Sequence, residues 1–201
     1  MQRSNYLRRL DIIYELMNDH ILSVREMQLD DIRLIVDYWH QAEAGYLTGM
    51  GVDLNKIPSR QEMSEGLTAQ FNLSIPEKRS YCMIWELDHQ PIGHSNTNPT
   101  TFGKTAFMHL HIWDKQIRRM GLGQQFIQLT LPHFFNTLKL QTLYCEPYAL
   151  NPAPNKTIEK SGFDLVMEYN CIPGSINFEQ PVKRWAMSKG KFERLNKSNV
   201  E

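Results

Sequence analysis

Residues 106–135 place the tightest constraint on the fold, because a strand, a basic glycine turn and a helix follow one another there without a gap. From Ala106 to Trp113 the residues alternate. His109, His111 and Trp113 share one face and Met108, Leu110 and Ile112 the other, which is the period of a β-strand. A turn with Lys115, Arg118, Arg119, Gly121 and Gly123 comes next. Leu122, Phe126, Leu129 and Phe134 then recur at helical spacing, which predicts a long helix, kinked or shortened at Pro132. Glycines at a helix start let backbone N–H groups approach an anion, and the helix dipole favours negative charge there. Guanidinium groups suit phosphate oxygens, so Arg118 and Arg119 strengthen the reading of a phosphorylated ligand. Alone, the pattern also describes a tight turn with two solvated arginines, and the surrounding elements must decide.

Those elements build one sheet. Tyr6, Leu10, Ile13, Tyr14 and Met17 recur every three or four residues, predicting an amphipathic helix over 5–18 that covers the domain or a neighbouring subunit of a homodimer. Residues 22–27 alternate as a half-buried strand, and Asp30 and Asp31 offer an N-cap for a helix through Ile32, Ile35, Trp39 and Ala42. Gly49, Gly51 and Pro58 interrupt regular structure before Ser59 and Glu62, a capping-box pair, open a helix towards Phe71. Residues 81–87 and 92–96 read as a hairpin around 88–91, and 98–104 as a polar loop before the strand at 106–113. A strand at 142–146, a helix at 152–160 stopped by Gly162, strands at 164–172 and 181–188 and a frayed polar tail complete the chain. This order defines an α+β (mixed α/β) domain around one central sheet.

Composition excludes several classes. The 201 residues are 41% hydrophobic, enough for a single core, and 22 Lys+Arg balance 22 Asp+Glu to a net charge of zero. Such a chain has no net attraction to phosphate backbones or anionic lipid, so neither nucleic acid nor membrane is an expected partner. Asp11, Glu15 and Asp19 break the only apolar stretch near the start, which argues against a signal peptide. No window approaches the ~18 apolar residues of a membrane span, and the expectation is a soluble cytoplasmic protein. Cys82, Cys145 and Cys171 fit neither a metal knuckle nor an even disulfide framework and read as reduced thiols. His109 and His111 are two where zinc wants three or four ligands, so no metal is expected. The run 98–105 ends like a nucleotide P-loop but starts with Asn98 and has no following helix, and 121–126 lacks the third glycine of a dinucleotide fingerprint.

The run RRMGLG at 118–123 matches the Arg/Gln-x-x-Gly-x-Gly/Ala loop of the GCN5-related N-acetyltransferases, and a second block at 143–163 is similar to that family's strand, Asn and helix ending in Glu-Lys-x-Gly-Phe. With both blocks at the right spacing, the chain resembles this family over about residues 22–187, and more loosely its acetyltransferases of ribosomal-protein N-termini. The resemblance implies the acyl-CoA N-acyltransferase fold, a mostly antiparallel splayed sheet flanked by helices. It divides the chain into an N-terminal helical extension (1–20), an acetyltransferase domain (21–189) and a polar tail (190–201). It also implies acetyl-CoA as cofactor, with pantetheine between the strands at 106–113 and 142–146. Backbone groups near Ile112 and Trp113 would hold the pantetheine. N–H groups from Arg119, Met120, Gly121, Leu122, Gly123 and Gln124 would hold the pyrophosphate, beside Arg118, and Asn151 would touch the cofactor arm.

The implied reaction is direct transfer of an acetyl group to a primary amine, on a peptide N-terminus or a small molecule. Glu146 sits where the resemblance places a catalytic glutamate and is the candidate base, although strand ends are also rich in salt-bridged or solvated glutamates. Met108 and Ile158 stand where many members have a carboxylate and a tyrosine acid. That departure leaves Tyr144 or Tyr148 as a replacement acid and His109 or His111 as a proton relay, and keeps open a coenzyme A sensor without turnover. Tyr46, Asp53, Glu62 and Glu65 are the groups in 41–71 suited to greet a cationic amine. Cys145, next to Glu146, reads as core rather than nucleophile.

Overall fold

The computed structural model describes residues 12–15 and 20–198. Eight strands form one mixed sheet in the order β1-β2-β3-β4-β5-β6-β8-β7. They are β1 (Ile12–Glu15), β2 (Ile21–Glu26), β3 (Tyr81–Leu87), β4 (Gln90–Thr101), β5 (Thr105–Ile112), β6 (Thr142–Cys145), β7 (Asp164–Cys171) and β8 (Gln180–Ser188). Among the described residues six α-helices accompany them: α1 (Asp31–Gln41), α2 (Ala44–Gly49), α3 (Arg60–Asn72), α4 (Gly123–Thr137), α5 (Pro152–Lys160) and α6 (Lys189–Ser198). Every neighbouring pair is antiparallel except β5 and β6, which run parallel because α4 crosses between them.

Alternation along β3 assigns the two faces. Tyr81, Met83 and Trp85 enter the larger core, where α4 packs with Phe126, Phe134 and Phe135. Trp85 stacks on Phe126 at 4.9 Å and donates its indole N–H to the Thr130 hydroxyl at 2.9 Å. Cys82 and Ile84 point to the other face, under Ile32, Ile35 and Val36 of α1, with Met63, Leu67 and Phe71 of α3 packed alongside. The capping box at Ser59 and Glu62 forms as its spacing predicts. Asp30 makes no side-chain cap bond; Asp31 instead accepts from the Gln28 N–H at 2.7 Å and from Arg25 at 2.6 and 2.9 Å.

Four expectations need correction. Residues 12–15 of the predicted N-terminal helix form strand β1, paired Ile12 to Val24 and Glu15 to Ile21, while 5–11 and 16–18 lie outside the described residues. The supposed loop at 98–101 continues β4 after an irregularity between Thr97 and Thr100, with Thr100 paired to Ala106. Helix α4 is not shortened at Pro132 but runs on to Thr137, since burial of residues on both sides of it outweighs the one ladder bond a proline lacks. The polar tail is helix α6, anchored by Phe192, which is 5% exposed and stacks on Phe135 at 4.5 Å and 9°. Lys191 of α6 also reaches the Asp164 carboxylate at 2.6 Å. Phe192→Ala should therefore cost about 3 kcal/mol in urea unfolding, as expected for a buried phenylalanine, and Phe192→Leu clearly less.

Candidate active site

The site begins where β5 and β6 stop pairing. They are in register only at Thr105/Thr142, Ala106/Leu143 and Phe107/Tyr144, and β6 ends at Cys145 while β5 continues to Ile112. The Trp113 N–H donates to the Ile92 carbonyl at 2.9 Å. In an antiparallel ladder backbone groups alternate in direction, so His111 and His109 also face β4, and Met108, Leu110 and Ile112 turn theirs towards β6. At the fork the Cys145 thiol donates to the Met108 carbonyl at 3.1 Å. Burial, reinforced by Glu146, pushes that thiol's pKa well up and keeps it a donor rather than a nucleophile. Beyond the fork the backbone of Leu110 and Ile112 lines the opening. Leu110 carries no signal in the sequence, because backbone groups at an opening leave no side-chain signature. Trp113 does not share that role: its N–H is committed to β4 and its carbonyl to Arg118.

Helix α4 starts at the mouth of this opening. Its first ladder bond runs from the Phe126 N–H to the Leu122 carbonyl at 3.1 Å, so the N–H groups of Gly123, Gln124 and Gln125 have no helical acceptor. Leu122 occupies the N-cap position and has no polar side chain to satisfy them. Gly121 takes φ +76°, and a Cβ there would meet nothing within 4 Å, so the space in front of the turn is open. Gly123 is needed for a different reason: a Cβ would lie 3.1 Å from the Thr157 methyl of α5. Gln124 ties the two helices by donating its side-chain N–H to the Lys160 carbonyl at 3.0 Å. Asn151 forms the N-cap position of α5 without a side-chain cap bond, and its carbonyl accepts from Asn155 at 2.7 Å.

Arg118 is placed differently from the phosphate-binding role expected of it. Its Nε and Nη2 donate to the Ile112 and Trp113 carbonyls, both at 2.8 Å, and its guanidinium lies 3.6 Å from the centre of the Tyr46 ring. It clamps the turn to the end of β5. Next to it opens a cleft of about 780 Å³ whose lining includes Asp37, Tyr38, Glu43, Tyr46 and Trp113. Of the four predicted amine-greeting residues only Tyr46 reaches it. Asp53 accepts from the Asn55 N–H at 3.1 Å, Glu62 closes the α3 capping box, and Glu65 accepts from Gln61 at 2.9 Å.

Two histidines, His94 and His111, stand behind the cleft, while His109 Nε2 lies 2.7 Å from the Asn98 carbonyl. His94 is 3% exposed, accepts at Nδ1 from the Trp113 indole N–H at 2.8 Å and stacks on His111 at 4.7 Å. The Tyr38 hydroxyl lies 3.2 Å from His111 Nδ1 and 3.4 Å from the Tyr46 hydroxyl. Burial, with help from neighbouring His109, brings the His94 pKa down to about 3. His111 falls well below the usual imidazole range through burial first, then through His94, His109 and Arg118. A proton relay at neutral pH needs a pKa near neutrality, so the expected relay role of His111 is replaced by that of a neutral wall.

Glu146 directly follows β6, with its side chain 8% exposed. Its Oε1 accepts from Arg184 Nε and, at 2.5 Å, from the Tyr169 hydroxyl, which itself accepts from Arg184 Nη2 at 2.5 Å. Both contacts fall on Oε1, and among the described residues no hydrogen bond reaches Oε2. The Tyr169 phenol is held well above its ordinary pKa by burial and then by Glu146. Arg184 is surrounded by the rings of Phe107, Tyr144 and Tyr169 at 5.5, 5.5 and 5.1 Å. Tyr144 thus packs in this cage, and Tyr148 meets Phe178 edge-on at 6.0 Å. Arg184 and Tyr169 were invisible to sequence reading, since a polar residue on an alternating strand looks like surface.

The acetyltransferase (GNAT) domain family matches residues 22–164. The chain belongs to this family of acetyl-CoA-dependent N-acetyltransferases. No curated protein matches the sequence. Among solved structures, spermidine N-acetyltransferase from Vibrio cholerae, in complex with CoA and spermine, superposes with TM-score 0.70 at 18% identity, covering 86% of this chain and 98% of that one. RimL, the ribosomal L7/L12 alpha-N-protein acetyltransferase in complex with coenzyme A, gives 0.69 at 13%, covering 90% and 99%. An uncharacterized protein from Bacillus halodurans gives 0.65 at 17%, covering 93% and 95%. These likenesses support the mixed, mostly antiparallel fold. Among the described residues no helix is long and apolar enough to cross a membrane, and no group of three or more metal-ligating side chains is found.

The buried imidazoles give the fold a pH dependence of definite sign. Unfolded histidines protonate near ~6.5, whereas His94 stays neutral down to about 3, so the unfolded state binds more protons as pH falls. The stability from keeping His94 neutral is complete above ~6.5 and is lost progressively below it. Urea titrations between pH 6 and 5 should show stability declining, and His94→Gln should flatten that slope by about 1.4 kcal/mol per pH unit.

Proposed function

We propose that the chain binds acetyl-CoA in the opening between β5 and β6 and transfers its acetyl group directly to a primary amine. The observation that carries this is the uncapped α4 N-terminus, with three N–H groups and open space at Gly121, beside the unpaired backbone edge of β5. The residues present fit the cofactor. Gly123, Gln124 and Gln125 offer N–H groups to a pyrophosphate, Leu110 offers both backbone groups and Ile112 its N–H to pantetheine amides, the Ile112 carbonyl being held by Arg118, and Asn151 opens the helix after β6. When bound, acetyl-CoA supplies a thioester carbonyl open to attack by an amine.

The chain's own groups then have limited work to do. Glu146 Oε2 takes a proton from the incoming ammonium, directly or through water, while Oε1 stays locked by Arg184 and Tyr169. The Tyr38 and Tyr46 wall and the Asp37 and Glu43 carboxylates border the cleft beside the end of β5, the entry we assign to the acceptor. Asp37 is already bridged by Arg60 at 2.7 Å and Glu43 by Lys115 at 3.2 Å, so the cleft's acidic groups are largely neutralised. The acceptor class remains that of primary amines on peptides or small molecules. Non-catalytic binding of coenzyme A gains no support from this arrangement.

Calorimetry with coenzyme A and thiol release against a panel of polyamines, small amines and peptide N-termini test the reading together. Binding with amine-dependent thiol release is expected, and absence of binding contradicts it. Gly121→Asp should abolish binding, because a carboxylate placed before the uncapped helix repels a pyrophosphate, while aspartate tolerates the positive φ. Glu146→Gln should lower kcat by about 10²–10³ with coenzyme A affinity kept within about twofold.

A further inference from the structure

A second, smaller cavity lies at the opposite end of the sheet from the fork. β3 and β5 run in the same direction, so Tyr81, at the start of β3, sits at the end where β5 and β6 still pair. The cavity there holds about 190 Å³, below the ~300–1,000 Å³ of pockets for drug-sized ligands, so its occupant must be small. Glu26, the end of β2, and Lys78 and Ser80, which lead into β3, give the lining its polar groups; Met27, Leu67 and Phe71 give its apolar part. Leu67 and Phe71 belong to α3, a helix of 13 residues none of which is fully buried, so α3 lies over the sheet without filling the space beside its last turns.

Two opposite charges face this cavity and are kept apart. The Lys78 ammonium donates to the Gln70 carbonyl and, at 2.7 Å, to that of Phe71, capping the C-terminus of α3. The Glu26 carboxylate accepts from the Tyr81 hydroxyl through Oε1. Burial draws the Lys78 pKa down and Glu26 opposes that through space, yet among the described residues no ion pair joins the two. Gln70 Oε1 accepts from the Arg79 and Ser80 N–H groups at 2.9 and 3.0 Å. Unused among the described residues are the third Lys78 N–H, the Ser80 hydroxyl, Gln70 Nε2 and Glu26 Oε2.

We infer that this cavity binds a free α-amino acid with an apolar side chain. A simple anion would meet the Glu26 carboxylate and a simple cation the Lys78 ammonium, each a like charge in a partly desolvated place, whereas a zwitterion answers both. Its ammonium donates to Glu26 Oε2, and its carboxylate accepts from Lys78, Ser80 and Gln70. Its side chain covers Met27, Leu67 and Phe71. The tethers are what keep the place open: Lys78 and Glu26 free to move would collapse into an ion pair, but α3 holds one and Tyr81 the other. The inference does not depend on the proposed reaction, since the cavity shares no lining residue with the cleft beside Tyr46.

Titration of the free protein with L-leucine, L-methionine and L-phenylalanine, followed by backbone amide NMR, tests this without any cofactor. At least one of the three should shift the amides of Met27, Phe71 and Ser80 together, with a dissociation constant below about 1 mM. Its N-acetyl and amide derivatives, each lacking one of the two charges, should bind at least about 10-fold more weakly. Glu26→Gln, which keeps an acceptor for Tyr81, and Lys78→Met should weaken the parent amino acid by a similar factor. The derivatives probe the same two contacts in the unaltered protein, so the result stands even where a variant folds poorly. No shift at about 20 mM of any of the three overturns the proposal, and so does a derivative that binds as tightly as its parent. Shifts confined to the cleft around Tyr46 and Trp113 would make the amino acid an occupant of the acceptor entry and overturn it as well.

Discussion

Everything at the site depends on the parallel pairing of β5 and β6 ending after three residue pairs. A parallel pair left to run would satisfy its own backbone and close the sheet. Here it stops at a thiol, Cys145, that takes the Met108 carbonyl and leaves both backbone groups of Leu110 and the Ile112 N–H aimed into a gap, while Arg118 takes the Ile112 carbonyl. Buried backbone groups without partners are costly, so a gap of this kind favours a ligand that is itself rich in amides. Helix α4 reinforces the demand from the other end. Its N-cap is a leucine without a cap bond, and its first N–H groups precede the first ladder bond and have no partner among the described residues. The fold thus keeps two sets of unsatisfied donors and acceptors adjacent, and coenzyme A has both amides and pyrophosphate to meet them.

Around that opening the charged side chains serve the frame. Arg118 holds the turn against the end of β5, and Arg184 holds Glu146 inside a cage of three rings. A guanidinium is well suited to both tasks, since its fork bonds in its plane while its face stacks on aromatics. One oxygen of Glu146 is thereby fixed in place, and the other makes no hydrogen bond among the described residues. The histidines contribute shape rather than charge: His94 orients Trp113, and His111 supports Tyr38 beside the cleft.

Much of this architecture could be read from the chain before any coordinates, and the reasons are local. Alternation at 106–113, glycines at 121 and 123 and a stripe from Leu122 are strong short-range signals, and the strand, turn and helix appear as expected. The stop at Gly162 and the Ser59 capping box are equally local. What escaped depends on contacts far apart in sequence. A single Phe192 in a polar tail gives no helical stripe, yet it meets Phe135 and orders α6. Residues 98–101 read as a loop until β5 offers Ala106 as a partner for Thr100. At the candidate site, Gly121 and Glu146 stand out in the sequence by their motifs, whereas Leu110 presents only backbone and Arg184 and Tyr169 bond Glu146 from strands distant in sequence.

The central claim is that the fork and the α4 N-terminus together form one coenzyme A site. Backbone amide NMR of the free protein titrated with coenzyme A tests it most directly. The amides of Leu110 and Ile112 should shift together with those of Gly123, Gln124 and Gln125 and saturate at one common concentration. Shifts confined to the cleft around Tyr46 and Trp113, with the Leu110 and Gly123 amides unmoved, would contradict it.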